Sequence, residues 1–368
     1  MAYSKRQRGI TLVELMIAVT LSIVITAGVI QIFISNKRTY QVQEAVSRLQ
    51  ENGRFATEFL ADDIRMVGFM GCAGQSGGGV SITNNVDLSK RTHGSDIGYD
   101  GDVEAVLSGF TGSDSLEAIF YDGTLTTDLS NMGFTNDGTT GSLVANTVIL
   151  KIIRGGSCPG ADVVAQGTAA GTANVQIADN SMCQIHQNEI VMVSNCKTAD
   201  IFGVSSSPLT TANTHATLAH GSNWNSVPIF GGDYSSGSSI YRVLAYFYYV
   251  GVGESGQPSL FRRRLGTLAT NNGSFVKDEL VEGVDTITYL FGVDTSSPSD
   301  GIPDIYVNAQ TMALTYPTKW DDVVAVRYTI KARTLDDNVA SQLNATYNDH
   351  RIRRDFVTTV TIRNRAAG

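Results

Sequence analysis

Residues 8–16 read "RGITLVELM" and place a carboxylate, Glu14, at the threshold of a stretch as apolar as a membrane anchor. Leu15 to Ile34, "LMIAVTLSIVITAGVIQIFI", carries no charge and is interrupted only by Thr20, Ser22, Thr26 and Gln31. At about 1.5 Å per residue, a helix of that length crosses a hydrocarbon core of about 30 Å. Lys5, Arg6 and Arg8 come before it. The positive-inside bias therefore sets residues 1–9 in the cytoplasm and the chain after Ile34 on the far side, and Lys37 and Arg38 soften that orientation without reversing it.

A secretory signal has a shorter apolar core followed by a small-x-small cleavage site. Here the small residue, Gly9, lies before the apolar run. Cleavage after it removes the basic leader, keeps the helix and frees an amine on Ile10, about one helical turn from Glu14. An unpaired carboxylate within a lipid-embedded helix costs on the order of 2.5 to 3.5 kcal/mol on insertion scales. Glu14 therefore either reaches interfacial water or finds a partner. The leader and Gly9 favour a partner: the Ile10 amine of a neighbouring helix, with the charge acting as a register mark in assembly.

The segment "KRQRGITLVELMIAVTLSIVI" resembles the class III signal of type IV pilins and type II secretion pseudopilins. The resemblance implies that a prepilin peptidase cuts after Gly9, that Ile10 becomes N-methylated, and that Glu14 guides docking into a filament. Ile10 departs from the commonest residue, Phe, and Gln31 stands where many major pilins carry Pro, which leaves Gly28 as the expected weak point of the anchor.

Beyond Ile34 an amphipathic continuation is expected over 35–70. Val42, Val46, Leu49, Ala56, Leu60, Ile64 and Val67 form an apolar stripe beside Glu44, Arg48, Glu51, Arg54, Glu58 and Asp62. Gly53 inside it costs about 1 kcal/mol relative to Ala.

Residues 71–368 read as a β-rich, loop-rich head, exported with the rest. With 42% hydrophobic and 17% charged residues, 37 Gly and 7 Pro, the chain is neither disordered nor wholly membrane-embedded. "VVAVRYTIKAR" alternates, with Val324, Val326, Tyr328, Ile330 and Ala332 on one face, and "FVTTVTIRNR" repeats the pattern from Phe356 to Ile362. Further strands are expected at 146–153, 189–195, 241–250, 258–265 and 285–293, with polar loops at 71–82, 108–142 and 203–239. The implied fold is α+β and pilin-like: a long N-terminal helix, membrane-spanning in its first half (10–34), packed on the head.

The cysteines, Cys72, Cys158, Cys183 and Cys196, are even in number in an exported head, which suggests disulfides. Sequence proximity favours Cys183 with Cys196 and hence Cys72 with Cys158, and two other connectivities remain open. A loop of about fourteen residues gains about 3 kcal/mol on closure. "CQIH" puts His186 three residues after Cys183, but no Cys-x-x-Cys accompanies it, so neither metal nor cofactor is expected. "DTSSPSDGIPD" fits a calcium loop poorly and reads as an acidic turn. His215 and His220 read as solvated loop residues.

No Walker A or His-Glu-x-x-His pattern is present, which argues against an enzyme. A net charge of -8 argues against direct nucleic-acid binding. Arg262 to Arg264 and Arg351, Arg353, Arg354, Arg363 and Arg365 read as solvated or edge-guarding charges.

"LQENGRFATEFLADDIRMVGFMGC", "LVEGVDTITYLFGVDT", "WDDVVAVRYTIKART" and "RRDFVTTVTIRNR" resemble the PilW family of type IV pilus minor pilins. The resemblance implies a low-copy tip or priming subunit. Its implied partners are minor pilins of the PilV, PilX and FimU or PilE kind, the major pilin and a PilY-type tip adhesin. It would reside first in the inner membrane with a periplasmic head and then at the pilus tip, supporting twitching and adhesion. A type II secretion pseudopilin and a membrane-anchored periplasmic enzyme are the alternatives. N-terminal mass spectrometry of the mature protein is expected to find a chain beginning at methylated Ile10; one beginning at Met1 or well past Ile34 would remove the basis for assembly.

Overall fold

The computed structural model describes residues 10–69, 71, 81–87, 115–167, 173–195, 197–210, 215–222, 225–265 and 275–365. Helix α1 (Leu12–Arg65) runs without interruption, through Gly28 and Gln31. The coordinates divide into two compact units, 1–50 with 334–352 and 51–333 with 353–368.

The first unit holds the apolar half of α1 and the 334–352 segment. The ends of that segment are tied together, Thr334 N–H donating to Ile352 O at 2.9 Å and the Arg351 guanidinium to Thr334 O at 3.1 Å. Within it, Ala340 N–H donates to His350 O at 2.7 Å and Asn344 N–H to Asp349 O at 2.8 Å.

The second unit sets the rest of α1 against two sheets. The larger has strand order β1 (Ser81–Asn84), β6 (Thr198–Gly203), β5 (Ile190–Ser194), β9 (Ser239–Val252), β3 (Thr147–Gln166), β4 (Ala173–Ile177), β8 (Ala216–His220), β7 (Leu209–Thr210). Strand β2 (Leu116–Tyr121) joins at β3, and β10 (Pro258–Leu265) joins at β9 and carries β11 (Phe275–Glu282). The smaller sheet is β13 (Ile305–Asn308), β12 (Val284–Val293), β14 (Val323–Arg333), β15 (Arg353–Thr361), antiparallel throughout. Helix Ala309–Thr315 follows β13 and is capped by Asn308, whose side chain accepts from Thr311 N–H.

The helix stripe is buried as its period requires: Leu49, Gly53, Ala56, Leu60, Ile64 and Val67 are buried, and Glu44, Arg48, Glu51, Arg54, Glu58 and Asp62 are exposed. Ala56, Leu60, Ile64 and Val67 share a core with Tyr248 and Val250 of β9, Ile287 of β12, Tyr328 and Ile330 of β14, and Val360 of β15. Each fully buried Leu or Ile there stabilises by about 1.5 to 3 kcal/mol. Strand β9 is apolar on both faces because it separates two cores. Tyr246, Tyr248 and Val250 face α1, while Ala245, Phe247 and Tyr249 meet Phe134, Ile149 and Ile153. A third core surrounds Cys158 and Cys183 with Val163, Val175, Phe202 and Leu218.

Strands appear at every expected position, and the alternation in β14 holds, with Val324, Val326, Tyr328, Ile330 and Ala332 all buried. Two expected loops were misread: β2 lies within 108–142 and β8 within 203–239. Their short runs, "LEAIFY" and "ATLAH", are held by pairing with β3 and β4, a long-range constraint that local pattern does not carry. The disulfide expectation is also corrected. Cys158 bonds Cys183, Cα to Cα 5.1 Å, and not Cys196. Proximity along the chain misled, because β3 is long enough to bring Cys158 over the 180–189 turn. Cys72 and Cys196 lie outside the described residues.

Gly53 has a local cause. A Cβ there would overlap the Phe356 ring of β15, so the missing side chain lets helix and strand approach. Gly53→Ala, which gains about 1 kcal/mol of helix propensity, is therefore expected to lower the thermal midpoint; in a Phe356→Ala background the same change is expected to raise it.

Candidate functional site

Ile10 and Thr11 precede the first turn of α1. Glu14 N–H donates to Thr11 Oγ1 at 3.3 Å, and Glu14 Oε2 accepts from Thr11 N–H and Thr11 Oγ1, each at 3.0 Å. This is a reciprocal capping box: Thr11 covers an orphan N–H of the first turn and Glu14 reaches back to the cap. Among the described residues the carboxylate thus has hydrogen-bond donors but no counter-ion. Gly9, Lys5, Arg6 and Arg8 lie outside the described residues.

The segment that follows has a mean hydropathy of 2.4 over its most apolar window, and none of that window is buried. By length and composition it can cross a membrane. Its polar interruptions bond back onto the helix: Thr20 to Met16 O and Ile17 O, Ser22 to Ala18 O, Thr26 to Ser22 O, at 2.7 to 3.1 Å. Each hydroxyl is satisfied internally, so it offers lipid no unpaired donor.

At the other end of α1, Asp63 is buried and was not singled out by sequence, although it stands three residues after Leu60 on the stripe. Arg154 donates to it from Nε at 2.9 Å and Nη2 at 2.8 Å, and the Tyr248 hydroxyl donates as well. Burial, then the adjacent Asp63 charge, pushes the Tyr248 phenol upward, so it remains a donor. The pair fixes the last turns of the helix to β3 and β9.

Of the arginines read as solvated, Arg354 and Arg363 are exposed as expected, and most of the others are structural. Arg262 and Arg264 pair with Asp278 of β11 at 3.3 and 2.8 Å, and the buried Arg263 lies 5.1 Å over the Phe134 ring. Arg353 and Arg333 converge on the buried Asp285 at 2.6 and 3.0 Å. Arg365 is buried and donates to Trp320 O, to Val323 O at 3.3 Å and to Ser115 Oγ at 2.7 Å. Burial lowers its pKa to about 10, which leaves it charged at neutral pH.

The acidic turn 294–304 is closed by its own carboxylates. Asp294 accepts from Ser299 Oγ at 2.7 Å and from Ser296, Gly301 and Asp300 N–H, which holds its pKa to about 2. Asp304 accepts from Thr295 and Ser296. His186 Nδ1 stands 3.8 Å from Glu189, and among the described residues no His, Cys, Asp or Glu cluster is arranged to hold a metal.

His220 is not a solvated loop residue. It ends β8 fully buried, stacked on Phe230 at 4.6 Å and tilted against Phe202 at 5.2 Å, and among the described residues neither ring nitrogen has a hydrogen-bond partner. His93 lies outside the described residues.

A charged, capped helix start, a membrane-length apolar helix and a sheet-bearing second half together define a membrane-anchored, pilin-type chain. The family model described as the prokaryotic N-terminal methylation motif matches residues 4–30, and that described as Type IV Pilus-assembly protein W matches 247–364, from within β9 past β15. These two matches, one at the amino terminus and one over the closing third, support a PilW-type pilin. No curated protein and no solved structure matches it.

Desolvation lowers the His220 pKa to about 4 from an ordinary 6.5. The folded state therefore takes up this proton later than the unfolded chain, and stability falls as pH drops from 6.5 toward 4. His220→Phe is expected to remove on the order of 3 kcal/mol of that acid loss, read as a flatter pH dependence of the urea midpoint of the full chain in detergent.

Proposed function

We propose that this chain is a low-copy minor subunit of the type IV pilus that helps initiate assembly at or near the tip and so supports twitching motility and adhesion. The observation that carries the reading is that the methylation-motif segment begins the same unbroken helix whose far end is built into a large β-rich head, with the PilW match over its closing strands. A head of about 300 residues would crowd a shaft at every step, which favours low copy number.

In this reading prepilin peptidase cuts after Gly9, and Ile10 is methylated. The helix sits in the inner membrane with the leader in the cytoplasm and the head in the periplasm. The Glu14 carboxylate, held by Thr11 in the single chain, exchanges that contact for the Ile10 amine of a neighbouring subunit. The partners are the other minor pilins, the major pilin and a PilY-type adhesin. The matched families concern filament components, and the head is read as structural and not catalytic.

Deleting the gene is expected to abolish or sharply reduce surface pili and twitching while exoprotein release stays normal. The opposite result would make the chain a secretion pseudopilin. Glu14→Ala is expected to leave a folded, membrane-inserted protein whose amount in sheared pili falls at least tenfold; normal incorporation would sink the assembly reading.

A further inference from the structure

Strand β15 is the end strand of the smaller sheet and pairs with β14 alone, in continuous register from Arg353 to Thr361 without a bulge. Ile362 N–H donates to Val324 O at 2.9 Å, which sets the parity of the ladder. Even-numbered residues of β15 exchange bonds with β14, so Asp355, Val357, Thr359 and Thr361 point their N–H and C=O groups outward. All four residues are exposed, Val357 at 62%, and among the described residues their outward main-chain groups have no partner.

Sheet edges are ordinarily guarded by shortness, proline, a bulge or a charge in the strand's middle. β15 is nine residues long with no Pro and no bulge, its charges Arg353, Arg354 and Asp355 are confined to its first three residues, and the open edge ends at Thr361, since Arg363 N–H donates to Arg65 O of α1 at 3.1 Å. Residues 356–361, "FVTTVT", contain no charge, no Pro and no Gly, a composition prone to strand pairing wherever it is left open.

Resting on the pilus-subunit reading, we propose that β15 is an acceptor edge, and that an extended strand from a different pilus subunit adds alongside Asp355 to Thr361 by main-chain hydrogen bonding. The charges choose the donor. Arg354 and Arg363 flank the uncharged stretch, both exposed and, among the described residues, without an ion pair, while Asp355 lies across from Lys331. The donor is therefore an uncharged, β-branched segment with an acidic residue toward each end. A second copy of β15 does not fit. Antiparallel self-pairing centred on Thr358 would set Arg353 of each copy opposite Arg363 of the other.

The test uses the full chain in its host. Val357→Pro removes an outward N–H and obstructs the edge without touching the β14 ladder, and Val357→Thr keeps the N–H. Val357→Pro is expected to melt within a few degrees of wild type and to be processed to Ile10, yet to fall at least tenfold in sheared pili, with Val357→Thr unchanged. In wild-type protein, the amides of 355, 357, 359 and 361 are expected to exchange at least tenfold more slowly in pili than in detergent. Equal incorporation of Val357→Pro, or equal exchange in the two states, overturns the acceptor edge alone. Absence of the wild-type chain from pili overturns the subunit reading with it. A wild-type dimer in detergent that Val357→Pro dissolves replaces the foreign donor with a second copy.

Discussion

Between Ser35 and Leu49 the surroundings that α1 must satisfy change from hydrocarbon to protein, and the helix passes through that change unbroken. Its first half meets the constraint by keeping the backbone and hydroxyl hydrogen bonds internal. The backbone is helical, and the hydroxyls of Thr20, Ser22 and Thr26 fold onto carbonyls four residues back or nearer. Its second half meets a different demand by burying one stripe and leaving the charged face in water. Neither solution works in the other's place, so the point where one pattern gives way to the other is set by composition.

What the second half is buried against explains the aromatic density of β9. A strand that separates two cores cannot alternate apolar with polar, and "LAYFYYV" does not. The phenols this run brings into the interior need partners. Tyr248 finds Asp63 and Tyr249 finds Gly141 O at 3.0 Å. An acid on the buried side of a helix is costly when alone. Here Arg154 neutralises it, and the triad joins three elements distant in sequence.

The regular parts of this architecture were legible because their signals are local. Period-two alternation located β14 and β15, and charge-free length located the apolar half of α1. The rest depended on pairing across long separations. "ATLAH" looks like loop until β4 lies beside it, and His220 looks polar until Phe202 and Phe230 enclose it. Arginine runs looked solvated because their acids, Asp278, Asp285 and Asp321, are remote in sequence or separately unremarkable. Gly53 could be priced as a helix defect but not explained, since its reason is a ring some three hundred residues later. At the amino terminus Glu14 stands out by its charge and Thr11 does not, although Thr-x-x-Glu is itself a capping signature.

The way α1 meets its sheets bears on mechanics. Ala56, Leu60, Asp63, Ile64 and Val67 follow one another along a single axis, so tension drawn along the helix would displace all of their contacts together instead of peeling them in turn. Such a joint resists rupture by shear more strongly than its equilibrium stability alone would suggest.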